Sequence, residues 1–102
     1  MDIPSNAVEF IGTFIFVSVI MIGTAKAKTN ELSVLPLAIG IVLAAMIYWG
    51  STTSGGHFNP VVTTAMMLRN PEDLSIATYI GAQLAGGVLA YYFSIYTLEY
   101  KL

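Results

Sequence analysis

Apolar residues fall in long uninterrupted blocks, and the polar positions between them are few and clustered. No charged residue occurs from Phe10 to Ala25, and the apolar stretch 7–25 is 19 residues long. As a helix it measures about 28 Å, close to the roughly 30 Å hydrocarbon core of a bilayer. Residues 33–50 form a second block of this kind, and residues 73–98 a third. The pattern predicts three membrane-spanning helices.

The breaks support this division. Thr29-Asn30-Glu31 separates the first span from the second, and Pro36 falls in the first turn of the second, where its missing N–H costs little. Asn70-Pro71-Glu72-Asp73 reads as an N-cap, a proline at the first helical position and acids on the positive end of the third helix dipole. Tyr91, Tyr92, Tyr96 and Tyr100 mark an interfacial aromatic belt. Gly40/Ala44, Gly81/Ala85 and Ala82/Gly86 are small-x-x-x-small pairs suited to close helix packing. Ala25-Lys26-Ala27 has the form of a signal-peptide cleavage site. The residues before the first span include Asp2 and no Lys or Arg, so the first helix is read as retained.

The segment between the second and third spans is different. Residues 51–59 are polar and glycine-rich, and Asn59-Pro60 then opens a helix, with Asn59 as cap and Pro60 at its first position. That helix runs apolar over 60–69, about 15 Å, or half a bilayer core. A half-length helix after an irregular polar approach is the pattern of a re-entrant loop. Irregular backbone at membrane depth is tolerated only where it is buried in protein or lines an aqueous cavity. By its pattern alone the segment also fits an ordinary loop with a short amphipathic helix.

Composition narrows the class. Of 102 residues, 56% are hydrophobic and 10% charged, against about 25% charged in a soluble domain. Mean hydropathy is +0.74. The net charge of −2 gives no sign of a nucleic-acid partner. The absence of cysteine excludes a disulfide framework and a thiolate metal site, and His57 is the only histidine. No nucleophile–base pair or cofactor motif is present, so neither an enzyme nor a bound metal or cofactor is expected.

Three ordered motifs resemble the aquaporin (major intrinsic protein) family. Ser54-Gly55-Gly56-His57-Phe58-Asn59-Pro60-Val61-Val62-Thr63 is similar to the S-G-[AG]-H-x-N-P-A-V-T of the family's first repeat, with Val61 in place of the usual alanine. Glu9-Phe10-Ile11-Gly12-Thr13 resembles the E-F-x-G-T of its first helix, and Tyr79-Ile80-Gly81-Ala82-Gln83-Leu84-Ala85-Gly86 the Y-I-x-A-Q-x-x-G of its third. The likeness covers essentially the whole chain but only the first half of a family member.

The resemblance implies an all-α integral membrane fold. Three transmembrane helices and one re-entrant half-helix make a single aquaporin repeat. A full member pairs two such repeats in inverted orientation, so the expected completion is a second copy, antiparallel to the first about an in-plane two-fold axis. Tetramers of such pores are the family's further assembly. Arg69 falls on the N-terminal side of the membrane and Lys26, Lys28 and Lys101 on the other. The positive-inside rule therefore opposes the family's usual orientation, which is compatible with dual topology. A fixed orientation with a separate second-repeat chain fits almost as well. The expected location is the cell membrane.

The resemblance also assigns residues. Asn59 would line the pore and donate its amide to a permeant oxygen. Pro60 would stack the half-helices, and Val61 would add bulk at their contact. Gly55, Gly56, His57 and Phe58 would present backbone carbonyls. Glu9 and Gln83 would support the loop by hydrogen bonding. The family's narrow filter, counted from Asn59, falls on Ile39 of one copy with Ile47, Gly56 and Val62 of the other. That mouth has no arginine and no aromatic ring, so it is hydrophobic. The expected function is passive permeation of water or small neutral solutes such as glycerol. The alternatives are half of a split channel, and a non-conducting membrane scaffold.

Overall fold

The computed structural model describes residues 2–27 and 34–99 of the chain. It has four α-helices and no strand among the described residues. Helix α1 is Ser5–Lys26, α2 is Leu35–Gly50 and α3 is Pro60–Arg69; a 3₁₀ turn at Leu74–Thr78 leads directly into α4, Tyr79–Glu99. The break at Thr29-Asn30-Glu31, the second span's start at Ser33, Tyr100, Lys28 and Lys101 lie outside the described residues.

Two stretches, Ser5–Lys26 and Leu74–Glu99, are long and apolar enough to cross a bilayer. Helix α2 is apolar but has 16 residues, about 24 Å at 1.5 Å per residue. Pro36 sits in its first turn, where no intrahelical donor is lost.

The third span opens differently from the sequence expectation. Asn70 is not its cap: it closes α3, its N–H donating to Met66 O at 2.9 Å. Asp73 is the capping residue instead, accepting from Ser75 N–H at 3.2 Å and Ser75 Oγ at 2.6 Å. The span then starts as a 3₁₀ turn. The physical reason is competition for one dipeptide. Asn70 is taken up by the end of α3, so Pro71 lies in the turn between helices, and the next side chain able to cap is Asp73.

Helices α1 and α4 form the main contact. Gly86 lets their backbones touch: a Cβ there would lie 2.6 Å from Phe10 O and 3.2 Å from Phe14 N. Further along, the rings of Phe14 and Phe93 meet at 5.4 Å. Of the three small-residue pairs, this is the one at a helix–helix contact. Gly40, Ala44, Gly81 and Ala85 are exposed, and a Cβ on Gly40 or Gly81 would meet nothing within 4 Å.

The distribution of polarity is inverted relative to a soluble domain. The buried residues include Glu9, Thr13, Ser18, Ser54, Thr63, Gln83, Ser94 and Thr97, whereas Val34, Tyr48, Val61 and Leu68 are each more than 70% exposed. A soluble protein does not present so much contiguous apolar surface to water.

Candidate functional site

The site is built where 51–59 returns the chain from α2 to α3. Residues 51–54 extend α2 as a turn, with Ser54 N–H donating to Gly50 O at 2.9 Å and Gly55 N–H to Ser51 O at 3.0 Å. The backbone then enters the left-handed region three times, at Gly55 (φ +93°), Gly56 (φ +66°) and Phe58 (φ +53°). Glycine takes such angles without strain. Phe58 does not, at a cost of order 1 kcal/mol, and two contacts hold it there. Its N–H donates to Glu9 Oε1 at 2.7 Å. Its ring, 2% exposed, fills a slot whose walls are glycines. A Cβ on Gly12 would overlap the ring outright, and one on Gly50 would lie 3.0 Å from Cζ.

Glu9, fully buried on α1, is the hub. Oε2 accepts from Ser54 Oγ at 2.6 Å and His57 N–H at 3.0 Å. Oε1 accepts from Phe58 N–H and from Gln83 Nε2, the latter at 2.9 Å. Four donors thus converge on a group that, ionised, only accepts. Ser54 Oγ in turn accepts from Gly56 N–H at 3.1 Å, so three of the loop's N–H groups are tied to α1 directly or through one hydroxyl.

Gln83 on α4 carries the network to α3. Its amide also donates to Thr63 Oγ1 at 2.8 Å. Since Nε2 must face Glu9, Oε1 is left buried without a partner among the described residues. Thr63 Oγ1 lies 2.8 Å from His57 Nδ1. Its hydroxyl also accepts from Gln83, so Thr63 joins the imidazole to the network. The imidazole packs edge-on to Tyr79 at 5.2 Å. The loop's position therefore depends on α1, α3 and α4 together.

Two sets of groups remain without partners. The N–H groups of 56–58 are bonded inward, but among the described residues nothing donates to the carbonyls of 55–58. Four consecutive acceptors thus need water or another ligand. At the α3 tip, Asn59 Oδ1 accepts from Val61 N–H at 2.8 Å. This leaves Nδ2 with no acceptor among the described residues, on an exposed side chain. Pro60 contributes no N–H and the first turn has no acid, so the positive end of the α3 dipole is open. Val61, beside it, is 74% exposed.

Beyond this tip a groove of about 510 Å³ continues between α1 and α4. Asn59 and Pro60 close one end, and Phe16, Val17, Leu84 and Val88 are among its walls. The four filter positions do not line it. Gly56 packs on Ile47, where a Cβ would lie 3.3 Å from Ile47 Cα. Val62 is 37% exposed on α3, and Ile39 is half-buried two turns before Ile47 on α2. Among the described residues no group of three or more His, Asp or Glu side chains could hold a metal ion.

Sequence reasoning missed four parts of this site: Gly12 and Gly50, which form the Phe58 slot, and Ser54 and Thr63, which relay the hydrogen bonds. The available signal was the buried glutamate itself. A carboxylate within an apolar span requires several donors, and those it meets come from the loop and from α4.

Comparison with known proteins agrees with this architecture. The model of the family described as "Major intrinsic protein" matches residues 3–100. The chain is 42% identical over 86 residues to the glycerol uptake facilitator protein-like 6 of Lactiplantibacillus plantarum, covering 80% of this chain and 38% of that protein. It is 34% identical over 99 residues to an aquaporin of Enterocytozoon bieneusi, covering 95% of this chain and 37% of that one. With the lens fiber major intrinsic protein of Lithobates pipiens it shares 39% identity over 83 residues, covering 78% and 32%. The chain thus spans less than two-fifths of the length of each of these relatives. No solved structure gives a significant match. With its family model matched from residue 3 to residue 100, the chain belongs to the major intrinsic protein family, a family of integral membrane channels.

Proposed function

We propose that the chain is half of a passive membrane channel for water or small neutral solutes such as glycerol, completed by a second copy inserted in the opposite orientation. The observation that carries this reading is the row of four unbonded carbonyls at 55–58 leading to the free amide of Asn59 at the tip of a ten-residue helix. Acceptors followed by a donor suit a small hydroxylated permeant moving in single file. The α3 dipole places partial positive charge where the carbonyl row ends, which opposes cations. In this reading α1, α2 and the stretch 74–99 cross the membrane and α3 enters and returns. The cell membrane is the natural location, and no enzymatic chemistry is involved.

Stopped-flow light scattering on proteoliposomes containing the purified chain tests this. Water or glycerol permeability above that of empty vesicles is expected; permeability equal to empty vesicles rejects the homodimeric channel and leaves a split channel or a scaffold. Asn59→Asp separates capping from permeation. Aspartate caps as well as asparagine, so thermal stability stays within about 0.5 kcal/mol while permeability falls, because the amide donor is gone. Unchanged permeability would leave Asn59 a cap only. At the proposed mouth, Val62→Arg or Ile39→Trp should reduce glycerol permeation more than water. If neither variant changes the ratio, Ile39, Ile47, Gly56 and Val62 are not the filter.

A second reading has a separate polypeptide supplying the other repeat. Cysteine accessibility at 2 and 99 in intact vesicles distinguishes them: a single orientation excludes the antiparallel homodimer.

A further inference from the structure

We propose that the cleft between α1, the start of α2 and α4 holds one acyl chain of an anionic phospholipid, with Lys26 at its mouth pairing with the headgroup. The cleft exists because α2 and α4 both pack on α1 but make no comparable contact with each other. The space between them is about 430 Å³. Ile15, Val19 and Ile22 of α1, Leu35 of α2 and Phe93 of α4 are among its walls. Ser18 is the one polar residue of the lining, and its hydroxyl is buried, so the surface offered to an occupant is hydrocarbon.

The position of the cleft gives it to the membrane. On α1 the groove that begins at Asn59 is lined by residues 13, 16 and 17, and the cleft by residues 14, 15, 18, 19, 22 and 23. At about 3.6 residues per turn these two sets lie on opposite faces of the helix. The cleft is therefore turned away from the tip of α3, and whatever completes a pore at that tip leaves it on the outer surface.

Its length matches one leaflet. From Phe14 to Gly23 the helix rises about 14 Å, half of a hydrocarbon core of roughly 30 Å. The inner end is closed near the middle of Ser5–Lys26, where the rings of Phe14 and Phe93 meet at 5.4 Å. At the outer end Leu35 lies on Gly23, where a Cβ would overlap its Cδ1. A helix of a second copy crossing the bilayer would have to continue past the Phe14–Phe93 contact, whereas an acyl chain ends at the midplane.

Charge places the headgroup. Lys26 is exposed and ends α1, about 5 Å of helix rise beyond Gly23. A lysine there lays its stem along apolar surface and carries its ammonium to the level of the phosphates. Glu99, at the end of α4, is the other charge described on this side, so Lys26 alone carries the preference for an anion.

Native mass spectrometry of the chain in detergent, titrated with dioleoyl phosphatidylglycerol or dioleoyl phosphatidylcholine, tests this. Retention of one phosphatidylglycerol per chain, in preference to phosphatidylcholine, is expected. Lys26→Gln, at an exposed position, should reduce that preference about fivefold. Val19→Trp, which fills the cleft, should weaken retention of both lipids about tenfold with helical content unchanged. Ile41→Trp, on the exposed part of α2 outside the cleft, should change neither. A preference that survives Lys26→Gln overturns the proposal, as do equal effects of the two tryptophan variants. Displacement of the lipid by inorganic phosphate would make Lys26 an anion site without an acyl chain and also overturns it. Loss of self-association in Val19→Trp with lipid retention intact gives the cleft to a second copy instead. None of these readouts depends on conductance, so an impermeable chain that retains the lipid would reject the channel and keep the site.

Discussion

Glu9→Ala should lower the stability of the detergent-solubilised chain by about 4 kcal/mol or more, read as a large drop in the midpoint of thermal unfolding. The substitution removes one acceptor group and strands four donors: the N–H groups of His57 and Phe58, the Ser54 hydroxyl and the Gln83 amide. Each is buried or partly buried, and the two backbone N–H groups lose their partner without gaining water, while Ser54 and Gln83 keep only Gly50 O and Thr63 Oγ1. Glu9→Gln keeps the shape and one acceptor oxygen, but turns an NH₂ group toward two of the same donors. Its loss should be smaller, about 2–3 kcal/mol. The order Ala worse than Gln, with both well below the parent chain, identifies Glu9 as an acceptor hub. Equal midpoints for all three proteins would mean that the loop is held by something else.

This hub also shows which parts of the molecule were legible in the sequence. Helices announce themselves through long apolar runs and through local caps. Asn59-Pro60 carries its own start signal, because the cap and the fixed φ of proline act within three residues of each other. Asn70-Pro71 carries the same dipeptide and does something else. Its asparagine is used to finish α3, and nothing local distinguishes an asparagine that ends one helix from one that starts the next. The slot for Phe58 was not legible at all. It joins Gly12 on α1 and Gly50 at the end of α2 to a residue whose φ is positive, and no spacing rule relates the three. Likewise, Thr63 and Gln83 are 20 residues apart on different helices. Glycines were equally ambiguous: identical small-x-x-x-small spacing placed Gly86 against a backbone, and Gly40 and Gly81 against nothing among the described residues.

The polar interior and the open loop carbonyls have a common cause. In lipid, a backbone group without a partner costs several kcal/mol, so a non-helical segment must have its donors satisfied from within. Here Glu9 and Ser54 take the N–H groups of 56–58. Satisfying the donors inward turns the carbonyls the other way, since successive N–H and C=O groups share the same peptide planes. One buried carboxylate thus both stabilises the loop and, with Ser54, sets which way its carbonyls at 55–57 turn.

The Phe58 slot makes the strongest test of how this loop is held in position. Gly12→Ala places a methyl inside the volume of the Phe58 ring, and Phe58 cannot yield easily. Its backbone is already left-handed and tied to Glu9, so rotating the ring out strains a residue with little freedom left. The expected cost is about 3 kcal/mol. Phe58→Leu removes the ring atoms that the methyl would strike, and by itself costs about 2 kcal/mol as a partly collapsed cavity. In the double variant the methyl occupies space the ring has left. The combined loss should therefore fall short of the sum by about 1–2 kcal/mol, measured as a double-mutant cycle on thermal or denaturant midpoints. Permeability should follow the same order, because the Phe58 carbonyl and Asn59 move with the ring. Strict additivity, within about 0.5 kcal/mol, would show that Gly12 and Phe58 do not share a slot, and that Glu9 alone sets the height of the loop.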